Sequence, residues 1–370
     1  MTMDKNSFVR RVLIYRLGSL GDTVVALPSL HLVERAFPRA ERRLLTNFPV
    51  QRKAAAAQTI LDGSGLVDGY FSYTVGLRHL RKVWKLRNAI RAWQPDVLVY
   101  LTRGRGVRIA RRDAMFFRAC GIRRLIGVPF TQDMQLHRLR AATGDLEPEA
   151  ARLARCIAEL GDARLDDPAS WDLRLTEAEY RAAQIALEPA GNRPIIAMSV
   201  GTKMQAKDWG IENWCKLLAA MAALYPGFAV VLSGAREESA ASEIAAEGWR
   251  NVPGSGPVIN LCGFLTPRES AAVFQQARFF VGHDSGPMHI AATVQTPCVA
   301  VFSARNIPAV WYPHGDQHKV IYHKVDCAGC GLETCTVQKK KCINSITIDE
   351  VIACVKAVCP PPLTLLKANL

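Results

Sequence analysis

Short β-branched and aliphatic runs alternate along the chain with longer stretches whose apolar residues recur every three or four positions. The first run, Val12–Leu17, meets Gly18-Ser19-Leu20-Gly21-Asp22 and an amphipathic stretch that continues to Phe37. A second unit starts at Leu44–Thr46. Asp96-Val97-Leu98-Val99-Tyr100-Leu101 reads as a buried strand behind Pro95, and Arg124–Val128 closes another unit after a helix around 108–120. Residues 161–194 break the rhythm with Gly161, Asp166-Asp167-Pro168, a helix over Glu177–Leu187, and then Pro189, Gly191 and Pro194.

Beyond that junction the pattern restarts. Strands are predicted at Ile195–Val200, Ala229–Leu232, Phe279–Val281 and Cys298–Phe302, with helices at Asn213–Leu224, Arg236–Ala246, Arg268–Gln276 and Met288–Val294. Apolar strands alternating with helices predict parallel sheets in an α/β layer fold. The expectation is two Rossmann-like domains facing a cleft, an amino-terminal one over 1–170 and a carboxy-terminal one over 171–370. Ligands of such sheets bind beyond the carboxyl ends of the strands.

A length of 370 residues fits two domains of ordinary size, and 49% hydrophobic against 22% charged residues supports packed cores. No apolar run reaches the roughly 20 residues of a membrane span. The apolar stretch after Arg10-Arg11 ends at Arg16, too short for a secretory signal, so a cytoplasmic location is expected. Charge is uneven: residues 1–140 hold 26 Lys and Arg against 9 Asp and Glu, a net of +17, while the remainder nets −3. Such asymmetry points to an anionic partner: nucleic acid, an anionic membrane face or an acidic glycolipid.

Three stretches carry candidate chemistry. Gly18-Ser19-Leu20-Gly21-Asp22 sits where a strand hands over to a helix, and its glycines permit close approach of a ligand. The plainer reading is a tight turn with Asp22 as a helix cap. Thr202 and Lys203, with Lys207-Asp208-Trp209 after them, place a hydroxyl and lysines at a strand's carboxyl end, which suits a diphosphate. The alternative is a solvated loop with Trp209 packing the next helix. In Val281–Ala292, a polar turn of Asp284, Ser285 and Gly286 meets Pro287 at the start of a helix and forms an anion cradle, with His289 on its opening turn.

Taken together, Gly18-x-x-Gly21-Asp22 with Pro28, Lys207-x-Trp209 and Asp284-Ser285-Gly286-x-x-His289 resemble glycosyltransferase family 9, the ADP-heptose:lipopolysaccharide heptosyltransferases. The strand Asp96–Leu101 with Arg103-Gly104 is similar to the family's first-domain strand and loop, and the likeness spans about residues 10 to 355. It implies a GT-B type enzyme with inverting, metal-independent transfer and no cofactor, binding its acceptor in the first domain and a nucleotide-sugar in the second. By position, Asp22 would be the general base, and Gly18, Gly21, Arg103 and Arg105 would lie on the acceptor side. Thr202, Lys203, Lys207, Asp284, Ser285, Gly286 and His289 would bind the donor. Lys203 and the Gly234-Ala235-Arg236-Glu237 stretch depart from the family pattern, which leaves the donor sugar and base open.

Residues 77–93 predict a basic amphipathic helix whose apolar face is marked by Leu77, Leu80, Trp84, Ile90 and Trp93. With Arg103, Arg105, Arg108, Arg111 and Arg112 it makes a basic surface suited to an acidic glycolipid and to peripheral contact with an anionic membrane. The rival class, a non-catalytic nucleic-acid binder, shares the charge but lacks a basic recognition motif.

The eleven cysteines accompany no export signal, so a disulfide framework is not expected. Cys120, Cys156, Cys215, Cys262 and Cys298 read as small buried hydrophobes. Cys327, Cys330, Cys335 and Cys342 crowd into one segment, and a tetrahedral zinc site is the alternative to a metal-free reading there.

Overall fold

The computed structural model describes residues 8–48, 57–74 and 79–362, and the chain divides into two units, 1–174 and 175–370. In the first unit β1 (Arg11–Tyr15) is followed by α1 (Leu20–Val24), α2 (Leu27–Ala36), β2 (Glu41–Asn47), α3 (Gln58–Leu61), β3 (Gly69–Tyr73), α4 (Leu80–Trp93) and β4 (Val97–Tyr100). Then come α5 (Val107–Ala119), β5 (Arg124–Ile126), α6 (Gln132–Gln135) and α7 (Glu149–Cys156). The five strands are all parallel in the order β3-β2-β1-β4-β5. β1 and β4 are buried along their whole β-branched and aliphatic runs, as expected of central strands covered on both faces. Strand order reverses between β1 and β4, so the loops after these two strands open at the topological switch point.

The second unit holds α8 (Glu177–Leu187), β6 (Ile195–Ser199), α9 (Ile211–Leu224), β7 (Ala229–Leu232), α10 (Ser239–Arg250), β8 (Val258–Asn260) and α11 (Pro267–Gln275). It continues with β9 (Ala277–His283), α12 (Gly286–Thr293), β10 (Cys298–Phe302), β11 (Lys319–Tyr322), α13 (Lys341–Asn344) and α14 (Ile348–Val358). Its parallel sheet runs β11-β10-β9-β6-β7-β8 and switches between β6 and β9. Trp209, Trp214, Trp249, Tyr225 and Phe279 fill the layer between this sheet and its helices.

Several expectations change. The stretch to Phe37 is two helices: the chain breaks at Val25–Ala26, and Pro28, which has no N–H to give, sits in the first turn of α2. Strands β3, β8 and β11 were not anticipated, being short and only partly buried, with a weak period-two signal. The helix expected at 236–246 is a 3-10 turn at Arg236–Glu238 followed by α10, which runs on to Arg250.

α4 differs from the expectation in which of its apolar residues are covered. Its buried face is Ile90 and Trp93, with Leu86 packed beside them, whereas Leu80 is 84% and Trp84 64% exposed. Two apolar stripes run along this helix, and only the one in register with the sheet is covered. Leu77 lies outside the described residues. Cys120, Cys156, Cys262 and Cys298 are buried, but Cys215 is only half-buried on α9.

Candidate active site

At the switch point of the first sheet, Gly18 holds a φ of +121°, and a Cβ there would overlap the Asp22 carboxylate at 2.4 Å from its Cγ. Only glycine lets that side chain fold back over the turn. Asp22 Oδ2 accepts from the Ser19 N–H at 2.7 Å and from the Ser19 hydroxyl at 2.9 Å. The helix cap is therefore Ser19, and Asp22 stands three residues into the helix, where a carboxylate answers the cap's own amide. Oδ1 lies 3.9 Å from Arg16 Nη2. Arg16 is 1% exposed and donates to the carbonyls of Leu101 and Asp22, so a fixed cation stands behind the carboxylate. Gly21 is buried within α1, and the Gly18 N–H donates to Asn47 Oδ1 at the end of β2.

The loop after β4 brings Arg103 and Arg105 to the same switch point with different surroundings. Arg103 is exposed. Arg105 turns inward, 2.5 Å from Asp113 Oδ2, 2.9 Å from the Tyr100 hydroxyl and 3.5 Å from that of Tyr15, which in turn pairs with Tyr73. Of the arginines grouped with α4, Arg103, Arg108, Arg111 and Arg112 are exposed, and Arg105 belongs to a partly buried polar network.

In the second unit the loops after β6 and β9 meet. Lys207 Nζ donates to Asp284 Oδ2 at 2.7 Å and to the Asp284 carbonyl at 2.9 Å. Asp284 is 3% exposed, and Asn306 Nδ2 donates to the same Oδ2 at 2.8 Å. This fully paired arrangement holds one ammonium beside the amino terminus of α12, where free amides and the helix dipole favour an anion. Ser285 is the residue before that helix, and its buried hydroxyl has no hydrogen-bond partner. Gly286 and Pro287 open the helix and His289 lies buried in its first turn. On the other side, Thr202 Oγ1 accepts from the Met204 N–H at 3.4 Å. Lys203 is exposed on this loop, its pKa lowered by desolvation against the pull of Glu238 and Glu237.

Residues that motif reading passed over complete the site. His283 knits the two loops: it accepts from the Trp209 N–H at 3.1 Å through Nε2, and its Nδ1 faces the Gly201 carbonyl at 3.4 Å. Burial pushes its pKa down to about 4, keeping the imidazole neutral. Glu238 lies so close over Gly201 and Gly234 that a Cβ at either would collide with it. Asn306, 22 residues beyond Asp284, gave no signal in a local motif, whereas Glu238 directly follows a stretch already singled out. Trp209 is buried against Trp214 at 5.1 Å, so one short loop serves both packing and charge placement.

Among the described residues no group of three or more His, Cys, Asp or Glu side chains is placed to hold a metal ion, the thiols of 327–342 included. The Cys335 sulfur is instead engaged by the Lys340 N–H at 3.2 Å, and Cys342 packs against the core of the second unit.

The chain is similar to known proteins in sequence and in fold. The chain is 30% identical over 171 residues to lipopolysaccharide heptosyltransferase 2 of Escherichia coli, covering 44% of this chain and 47% of that protein. It is 26% identical over 104 residues to lipooligosaccharide heptosyltransferase 2 of Campylobacter jejuni, covering 28% and 33%. The matched stretches thus span about a third to a half of these relatives. In fold, it superposes on a glycosyl transferase family 9 structure from Veillonella parvula with a TM-score of 0.68 at 16% identity, over 94% and 97% of the two chains. The E. coli ADP-heptose lps heptosyltransferase II structure gives 0.63 at 18% identity, over 97% and 100%. The family model described as glycosyltransferase family 9 (heptosyltransferase) matches residues 139–341, more than half of the sequence, and the chain belongs to that family.

Proposed function

We propose that this protein is an inverting glycosyltransferase that moves a sugar, heptose from ADP-heptose in the first instance, onto a lipopolysaccharide core or related acidic glycolipid. The observation that carries the reading is the ammonium of Lys207, held by Asp284 beside the amino terminus of α12 and the unpartnered Ser285 hydroxyl. A diphosphate leaving group needs such a place: positive charge, free amides and a hydroxyl donor already fixed where negative charge develops. The acceptor hydroxyl attacks the anomeric carbon as the bond to the diphosphate oxygen breaks. Asp22 takes the hydroxyl proton, and Lys207 with the α12 amides takes up the charge of the departing nucleoside diphosphate.

The acceptor reading is supported by the charge of the first unit. α4 carries Arg81, Lys82 and Lys85 exposed beside the outward Leu80 and Trp84, and α5 adds Arg108, Arg111 and Arg112. Basic residues around exposed apolar side chains suit an anionic bilayer surface in which a glycolipid acceptor is embedded. No helix among the described residues is long and apolar enough to cross a membrane, so contact through this face would be peripheral.

The test is titration calorimetry with ADP, followed by transfer assays with ADP-heptose and candidate core acceptors. Lys207→Ala is expected to weaken ADP by about 1.5–3 kcal/mol, the worth of a hydrogen bond to a charged group. Unchanged affinity removes Lys207 from the phosphate site, and tight, salt-steep binding of generic DNA or RNA would favour the nucleic-acid reading instead.

A further inference from the structure

The cysteine-rich segment takes no part in the chemistry proposed above, yet it is bonded to Gln205, Ala206 and Asp208 on either side of Lys207. The turn that presents Lys207 is a single 3-10 turn, Gln205–Lys207, too short to hold its own shape. Gln205 Oε1 accepts from the Cys335 N–H at 2.9 Å. The Ala206 N–H donates to the Glu333 carbonyl at 3.0 Å. Lys340 Nζ donates to the Asp208 carbonyl at 2.7 Å and stands 3.8 Å from Asp208 Oδ2. Residues 205, 206 and 208 are thus each tied to 333–340, while the ammonium of Lys207 itself is aimed at Asp284.

The same segment holds the other end of that ion pair. The Gly329 N–H donates to the Ala304 carbonyl at 2.8 Å, and the Gly331 N–H to the Arg305 carbonyl at 2.9 Å. Arg305 returns bonds to the carbonyls of Leu332 and Gly331. This fixes the loop from which Asn306 reaches Asp284. Backbone strain sits at the closing point: Lys339 and Lys340 are successive non-glycine residues at φ +45° and +60°. That conformation lets the Lys340 N–H reach Cys335 Sγ at 3.2 Å while its side chain reaches Asp208. Adjacent left-handed lysines persist only where the surroundings hold them, and strain of this kind collects at working sites.

We infer that Gly329–Lys340 is a splint for the phosphate site, joining the Lys207 turn to the Asn306 loop so that seating of the segment and binding of the diphosphate favour one another. Lys340 is its positioning residue: it acts through Asp208 on the Lys207 turn. Neutralising Asp208 also keeps that carboxylate from drawing the Lys207 ammonium away from Asp284. The inference rests on Lys207 being the diphosphate ligand. Coupling of this kind is reciprocal, so a nucleotide that binds better to the seated segment must also hold the segment seated.

The experiment uses the full chain, with ADP as the probe. Lys340→Met is expected to raise the ADP dissociation constant about 5–10-fold, within the usual range of coupling between sites. Lys340→Arg should return it to within about twofold, with the thermal midpoint of both variants close to wild type. In the other direction, saturating ADP should slow alkylation of Cys335 by N-ethylmaleimide by a similar factor, read by peptide mass spectrometry, with Cys354 on α14 as the internal control. In Lys340→Met that protection should shrink, an effect that a purely structural lysine would not produce. Wild-type ADP affinity in Lys340→Met, or a Cys335 rate indifferent to ADP, overturns the splint and leaves the phosphate site standing. A wild-type protein that binds no ADP overturns the phosphate-site reading, and the splint falls with it.

Discussion

Asp22 is held on three sides: two donors from Ser19, the buried Arg16 guanidinium behind it, and a glycine beneath it that no other residue replaces without collision. A residue serving only as a cap needs no buried cation at its back, and a general base gains from one because its carboxylate is held in a single orientation. Asp22→Asn is therefore expected to leave the fold and ADP affinity nearly unchanged while turnover falls by about 10²-fold or more. Steady-state rates at saturating donor and acceptor decide it, and wild-type turnover in the mutant would reduce Asp22 to its structural role. Arg105 teaches the opposite lesson. Its sequence neighbourhood resembles a basic acceptor loop, but Asp113 and two tyrosines draw its guanidinium inward.

At the scale of elements, α4 carries two apolar stripes, one packed on the sheet and one exposed. Ile90 and Trp93 close the core of the first sheet, and Leu80 and Trp84, one turn apart, face outward among Arg81, Lys82 and Lys85. Each basic residue near an anionic bilayer contributes about 1 kcal/mol, and an indole at the interface adds apolar burial. Replacing Arg81, Lys82 and Lys85 by Glu should abolish co-sedimentation with phosphatidylglycerol vesicles and raise the apparent KM for a lipid acceptor. Trp84→Ala alone should weaken vesicle binding by about tenfold. Free ADP should bind both variants as it binds wild type. Equal vesicle binding by all three proteins would mark the helix as a solvated face.

Across the whole molecule, buried histidines set the response to acid. His283 and His318 are each pushed down to about 4 by burial, and burial also lowers His31 and His137. The unfolded chain takes up these protons near pH 6.5 and the folded chain resists them, so stability present above about 6.5 is lost as pH falls toward 4. His283 and His318 alone are worth about 3 kcal/mol each over that interval. Below it, Glu34, whose pKa is lowered chiefly by its bond to Arg174, gives up its share as well. Urea unfolding should show a midpoint that drops steeply between pH 6.5 and 4.5. A flat profile across the acid range would mean that these imidazoles titrate as freely in the fold as out of it.

Much of this was legible along the chain, because strand and helix periodicities are local and the polar turns punctuate them. The runs at Val12–Leu17, Asp96–Leu101, Ile195–Val200 and Phe279–Val281 are too apolar to be anything but interior strands, and the Gly18, Lys207 and Asp284 turns stand at their carboxyl ends. The short edge strands β3 and β11 were not legible, since partial burial leaves little apolar alternation to read. Tertiary structure alone decided which strand ends are neighbours. Order switches between β1 and β4 and between β6 and β9, and that brings Asp22 near the Arg103 loop and sets Lys207 on Asp284, 77 residues away. Asn306, Glu238 and the Lys340 splint belong to the same class: each is an ordinary polar residue in its local sequence. Their roles arise from contacts between loops distant in sequence, and a pattern confined to one helix or strand carries no information about such contacts.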